Sequence, residues 1–383
     1  MDFSDIIGHK YLVSHLETTI AQGRIPHAQL FIGSTGTGIL PMALAYACSI
    51  LSEGHQKDSS KTQEVRKRVA TLSHPDLHFA FPVNKTETVK DKKPVSSMFM
   101  DEWRAFVATN PYATSFEWLQ QLGIENKQGI MRVEEASEIL KKLSLKSFEG
   151  GYKVMIIWMP ETMHRDGLNK ILKLVEEPPA KTVLLFLTEN EEQLLTTIQS
   201  RCQKLYFPPL AEEDIAQALI HFKGIAENEA KKFAHRADGN FNRALHLVAK
   251  DGEDVSFEAW FIEWVRAAFR AKGNIQVINE LLQWSEKMAG TGRETQKKFL
   301  GYCVETFRQA LLLQYGASQL TYFEAKDSKF SLEKFAPFVH HNNIFEIVKA
   351  LEDTSYHIER NGNAKILFTD LSISLTRLIH AKQ

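Results

Sequence analysis

At 383 residues the chain is too long for one ordinary globular domain of roughly 100–200 residues, and 44% hydrophobic with 24% charged residues excludes wholesale disorder. Lys and Arg total 46 against 47 Asp and Glu, so the net charge of -1 removes the uniform field of a histone-like or polyacidic protein. Three scattered cysteines, Cys48, Cys202 and Cys303, write neither a disulfide framework nor a metal knuckle. A reducing, cytoplasmic setting is expected, because no apolar run approaches the ~20 residues that span a bilayer and the start Met1-Asp2-Phe3-Ser4-Asp5 is acidic and polar.

Residues 3–22 read as an opening helical segment. Short apolar runs follow at 28–32, 77–81, 154–158, 183–187 and 204–207, most of them continuous, as strands buried on both faces should be. Helical patterns alternate with them at 40–52, 134–145 and 169–175. This alternation predicts a parallel sheet built from βαβ units. Two lysine-rich stretches, 54–68 and 84–94, read as solvated loops.

Pro208-Pro209 forbids helix continuation and marks a boundary. Beyond it strand signals disappear. A small helical region contains the turn Ala237-Asp238-Gly239-Asn240, and Lys250-Asp251-Gly252 breaks the chain again before a long helical tail. Phe257, Trp260, Phe261, Trp264 and Phe269 stand at helical spacing in that tail and read as core.

After the first strand comes Gly33-Ser34-Thr35-Gly36-Thr37-Gly38-Ile39-Leu40. The spacing of Gly33, Gly36 and Gly38 is that of a phosphate-binding loop opening a helix. A working loop carries Lys and then Ser or Thr after the last glycine, to meet the β/γ-phosphates and Mg2+; here Ile39 and Leu40 stand there. The strand 153–157 continues into Trp158-Met159-Pro160-Glu161, with an apolar ring where such enzymes carry a metal-binding Asp. Both losses predict that the chain does not hydrolyse ATP itself.

The run Asn169-Lys170-Ile171-Leu172-Lys173-Leu174-Val175-Glu176-Glu177-Pro178-Pro179, the strand ending in Thr188, and Leu194-Leu195-Thr196-Thr197-Ile198-Gln199-Ser200-Arg201-Cys202 together resemble the clamp-loader branch of the AAA+ ATPases, which serves bacterial DNA polymerase III. The resemblance covers about the first 250 residues, including Pro26-His27-Ala28 and Ser73-His74-Pro75-Asp76. It implies an α/β AAA+ module over 1–208, a small helical lid over 209–252 and an all-α collar for oligomerisation over 253–383. It implies further that Arg201 is an arginine finger given in trans to a neighbour's ATP, with Ser200 and Cys202 shaping its turn, and that Thr188 and Arg243 are vestigial sensors. Partners expected on this basis are other clamp-loader subunits of the gamma/tau and delta kinds, the sliding clamp indirectly, and primer-template DNA in the assembled complex. No cofactor is expected to bind tightly, ATP and Mg2+ sitting at the neighbouring subunit. Many relatives carry a four-cysteine zinc module where residues 49–73 have no such set, so no metal is expected. The helix at 134–146 occupies the position that tracks duplex DNA in relatives, with Ser137 where an arginine often occurs. Two competing readings stay open: an active motor subunit of the same complex, which Ile39, Leu40 and Trp158 oppose, and a lone nucleic-acid-binding module, which the near-zero net charge does not advertise.

Overall fold

A computed structural model describes residues 2–53, 59–249, 253–272, 274–318, 321, 323 and 330–381. Five strands, β1 (Ala28–Gly33), β2 (Leu77–Ala80), β3 (Lys153–Trp158), β4 (Thr182–Thr188) and β5 (Gln203–Phe207), form one parallel sheet in the order β2-β3-β4-β1-β5. Each apolar run predicted as a strand is a strand, to within one residue at each end. Side chains alternate between two cores, as the two-residue period of a strand requires. Val154, Ile156, Val183 and Leu185 point to one face, and Met155, Ile157, Leu184 and Phe186 to the other.

The helices of this part are α1 (Lys10–Ala21), α2 (Ile39–Ser52), α3 (Ser59–Ala70), α4 (Met100–Thr109), α5 (Ser115–Gln121), α6 (Val133–Ser144), α7 (Arg165–Glu176), α8 (Thr196–Gln199), α9 (Glu212–Lys223), α10 (Glu227–Ala237) and α11 (Phe241–Ala249). The first sheet face is covered by α2, which is buried along nearly its whole length. The second face carries α6 and α7, which pack on each other.

Two expectations need correction. Residues 59–68 are not loop but belong to α3, because Val65 and Val69, one turn apart, are buried and anchor an otherwise charged helix that Glu64 and Arg68 stitch together; residues 54–58, with Lys57, lie outside the described residues. The opening segment is not one helix either. A 3-10 turn, Phe3–Asp5, is separated from α1 by Gly8 and His9, both in the left-handed region at φ 63° and 51°. Helices α4 and α5 have no counterpart in the sequence reading. They carry an aromatic cluster in which Trp103 stacks on Phe81 at 4.3 Å between ring centroids and meets Trp118 edge-on.

By packing, the chain divides into two compact units: residues up to Ile124 together with Gln128–Val248, and Glu125–Lys127 together with the chain from Ala249. Helices α9, α10 and α11 lie in the first. The second consists, among the described residues, of α12 (Glu253–Arg270), α13 (Ile275–Ala289), α14 (Arg293–Gln314), α15 (Leu332–Phe335), α16 (Ile344–Glu359) and α17 (Ala364–Ile379). Its core is built on the aromatic stripe read from the sequence: Phe257, Phe261 and Trp264 are buried and Trp264 stacks on Trp284. Phe269 departs from that stripe, being 43% exposed, and covers Phe338 and His380. The break at Lys250-Asp251-Gly252 lies outside the described residues. No described helix is long and apolar enough to cross a membrane.

Candidate functional site

In a parallel sheet the C-terminal strand ends leave a crevice where ligands bind. The register brings the glycine loop there together with the other two suspect positions, since Ile32 lies opposite Thr188 and Trp158 opposite Leu187. The loop keeps the shape that its glycines allow. Gly36 and Gly38 have φ of 77° and 95°, and Gly38 caps the N-terminus of α2. Thr37 closes the turn through its hydroxyl and its N–H, both donating to the Ser34 carbonyl, and His9 Nε2 bonds the Thr37 carbonyl at 2.7 Å.

Side chains of the same chain pack closely against the loop's glycines. A Cβ built on Gly36 would lie 1.9 Å from Asn240 Oδ1, and one on Gly38 would lie 3.0 Å from the Tyr112 ring. The Phe241 N–H, in the first turn of α11, donates to the Gly36 carbonyl at 3.0 Å. A helix N-terminus that could face a phosphate therefore faces a carbonyl instead. The remaining cavity, bounded by the loop, Tyr112, Trp158, Thr188 and Glu189, measures about 30 Å³. That is room for about one water, against the roughly 300–1,000 Å³ of ordinary ligand sites.

Ile39, Leu40 and Trp158 are all packing residues. Leu40 is buried, Ile39 is packed against the core, and Trp158 joins the aromatic cluster 5.1 Å from Trp103. Thr188 donates its hydroxyl to Glu161 at 2.9 Å, and burial pushes the Glu161 carboxyl up to about 7. On the loop itself, Thr35 donates to Glu189. Among the described residues no group of three or more His, Cys, Asp or Glu is arranged to hold a metal ion.

A hub absent from the sequence reading ties α11 to α5. Glu117 accepts hydrogen bonds from the Thr114 N–H at 2.6 Å, Asn242 Nδ2 at 2.8 Å and His246 Nε2 at 2.8 Å. Asn242 also accepts from Asn110 at 2.6 Å. Arg243 lies in this same helix, its N–H donating to the Asn240 cap.

Arg201 sits elsewhere. It belongs to the turn after α8, just before β5, where its N–H bonds the Ile198 carbonyl at 3.0 Å. The register places Gln203 opposite Gln29 and Phe207 opposite Gly33, so Arg201 stands at the N-terminal edge of the sheet and the glycine loop at the C-terminal edge. Five residues of β5, at roughly 3.3 Å each, put some 16 Å between the two edges. The Arg201 side chain is 40% exposed; Nη2 pairs with Glu176 at 2.8 Å and Nη1 donates to the Thr197 carbonyl at 3.0 Å, with Ser200 Oγ at 3.4 Å. Burial raises the Cys202 thiol to about 12, so this cysteine is a packing residue and not a thiolate at neutral pH. Thus Thr188, Gly33, Gly36 and Gly38 come together at one sheet edge, and Ser200, Arg201 and Cys202 form a separate cluster at the other.

A parallel α/β sheet with flanking helices and a glycine loop after β1, followed by a helical C-terminal part, is the architecture of the phosphate-loop α/β class. Within that class, the family described as "DNA polymerase III, delta subunit" matches residues 8–211, and the chain belongs to it. The DNA polymerase III subunit delta' of Bacillus subtilis is 28% identical over 259 residues, covering 68% of this chain and 64% of that protein. The DNA polymerase III subunit tau/gamma of Haemophilus influenzae is 23% identical over 332 residues, covering 82% and 41%. The chain thus spans less than two thirds of the length of these relatives. Among solved structures, the RuvB Holliday junction branch migration motor of Thermotoga maritima is similar at 14% identity and a TM-score of 0.40, covering 84% of this chain and 87% of that one. A DNA polymerase III gamma subunit-related protein of Thermotoga maritima is similar at 13% identity and a TM-score of 0.34, covering 95% and 99%.

Proposed function

We propose that the chain is a non-catalytic clamp-loader subunit of the delta' kind, which gives Arg201 to the ATP of an adjacent subunit and helps load a sliding clamp on primed DNA. The observation that carries this reading is the placement of Arg201 at the sheet edge opposite its own glycine loop. A half-exposed arginine there faces away from any nucleotide of its own chain and toward whatever docks on that edge. In such a neighbour's site the guanidinium would neutralise charge developing on the γ-phosphate while the neighbour supplies its own lysine and Mg2+.

The closely packed loop supports the non-catalytic half of the proposal. Ile39, Leu40 and Trp158 pack where a working site would carry its lysine, hydroxyl and metal ligand. In this reading, residues 209–252 are a lid held on the module without nucleotide, 253–383 are the collar that assembles with gamma/tau and delta subunits, and Thr188 and Arg243 are vestigial sensors. The active-motor reading is disfavoured by the same three side chains.

Affinity capture of the tagged chain from its own cells tests the assembly. Co-purification of a relative with an intact phosphate loop, together with a third polymerase III subunit, is the expected result. A well-folded bait that recovers neither would overturn it.

A further inference from the structure

Resting on the reading of Arg201 as a trans finger, we propose that Glu176 is a positioning residue that holds the Arg201 guanidinium ready for the neighbouring subunit's phosphate. Glu176 is the last residue of α7, immediately before Glu177-Pro178-Pro179, and its Oε1 lies 2.8 Å from Arg201 Nη2. A carboxylate at a helix C-terminus faces the negative end of the macrodipole. Local helix electrostatics therefore do not favour Glu at this position, and the cation across from it does.

Two elements fix the guanidinium from different sides. Glu176 holds Nη2 from α7, while the Thr197 carbonyl and Ser200 Oγ hold Nη1 from the α8 turn. Among the described residues Nε makes no hydrogen bond, so part of the fork stays available. An arginine tethered only by its own flexible stem would have to lose rotamer freedom when it meets its target; one already oriented loses less.

The strength of the pair suits this role. Its side chains are 40% and 45% exposed, and half-exposed ion pairs are weak. One solvated carboxylate can orient the guanidinium yet yield it to a triphosphate of several negative charges. A buried pair would instead lock it away.

The test uses the full chain reconstituted with its loop-intact partner subunits, with ATP turnover and KM measured for wild type, Glu176→Ala, Glu176→Gln, Glu176→Asp, Arg201→Ala and the Glu176→Ala/Arg201→Ala double variant. Glu176→Ala is expected to lower kcat about 10-fold with KM for ATP little changed. Glu176→Gln is expected to fall between, Glu176→Asp to recover part of the loss, and the double variant to be no worse than Arg201→Ala. In the free chain, the Arg201 guanidinium signal in arginine-labelled NMR spectra is expected to show faster rotation in Glu176→Ala, while thermal unfolding stays at the wild-type midpoint. If Arg201→Ala leaves turnover unchanged, the finger reading itself fails and takes this proposal with it. If Arg201→Ala impairs turnover but Glu176→Ala matches wild type, raises turnover or adds fully to Arg201→Ala, the finger stands and the positioning role is overturned.

Discussion

The Thr188 hydroxyl donates to the Glu161 carboxylate at 2.9 Å, joining the end of β4 to the turn after β3 where a nucleotide-binding relative would place its sensor and its metal. The Asn190 N–H closes on the same hydroxyl oxygen at 3.2 Å. Two groups chemically able to read phosphate and metal read each other.

Burial holds Glu161 at about 7, above its ordinary 4.5. The native state therefore binds more protons than the unfolded chain between those values, and this group's contribution is complete below pH 4.5 and lost as pH rises through 7. Glu161→Gln keeps an acceptor for Thr188 without the charge. We expect it to unfold at a higher temperature than wild type at pH 8, by an amount on the order of 1–2 kcal/mol, and to lose that advantage at pH 5. Thermal unfolding at the two pH values reads this directly, and equal gains at both would refute the titration.

Glu117 titrates in the opposite sense. Burial alone would raise its carboxyl, but the hydrogen bonds from His246 and Thr114 outweigh that and hold it at about 2. Its contribution is present above pH 4.5 and is lost as pH falls toward 2. Glu117→Ala should cost on the order of 3 kcal/mol at neutral pH and abolish this acid-dependent part of the stability. It should also expose the α11 amides to faster hydrogen exchange, because Asn242 and His246 lose their common acceptor. Unchanged exchange in α11 would show that the hub does not hold that helix.

Restoring the phosphate-loop chemistry by Ile39→Lys and Leu40→Thr should yield no Mg-ATP turnover in the isolated chain. Trp158 still stands at the metal-ligand position and Asn240 and Tyr112 still close on Gly36 and Gly38. Phosphate release above the wild-type background would mean that this packing opens readily.

The five strands were legible because continuous apolar runs bounded by turns have few other solutions. Helix α3 was hidden by composition, its buried stripe amounting to Val65 and Val69 among charged neighbours. The aromatic cluster on α4 and α5 announces its partners nowhere in the local pattern, since Trp103 reaches Phe81 and Trp158 only through the fold. The site divides in the same way. Gly33, Gly36, Gly38, Ile39, Leu40 and Trp158 carry a spacing that can be read. Asn240 closes on Gly36 from 204 positions away, and Glu117 meets His246 across 129, so neither contact leaves a trace in sequence spacing. Glu176 and Arg201 were each visible within one motif run, but their pairing needed the packing of α7 on α8.

The most direct test of the account is ATP turnover by an assembled complex in which only the subunit next to Arg201 carries an intact phosphate loop, with wild type compared with Arg201→Ala. Because the side chain is half-exposed and outside both sheet cores, the variant should fold and assemble as wild type does. The account predicts that DNA-stimulated turnover at that site drops on the order of 10³-fold, the scale of an arginine finger. Wild-type turnover in a correctly assembled Arg201→Ala complex would contradict it.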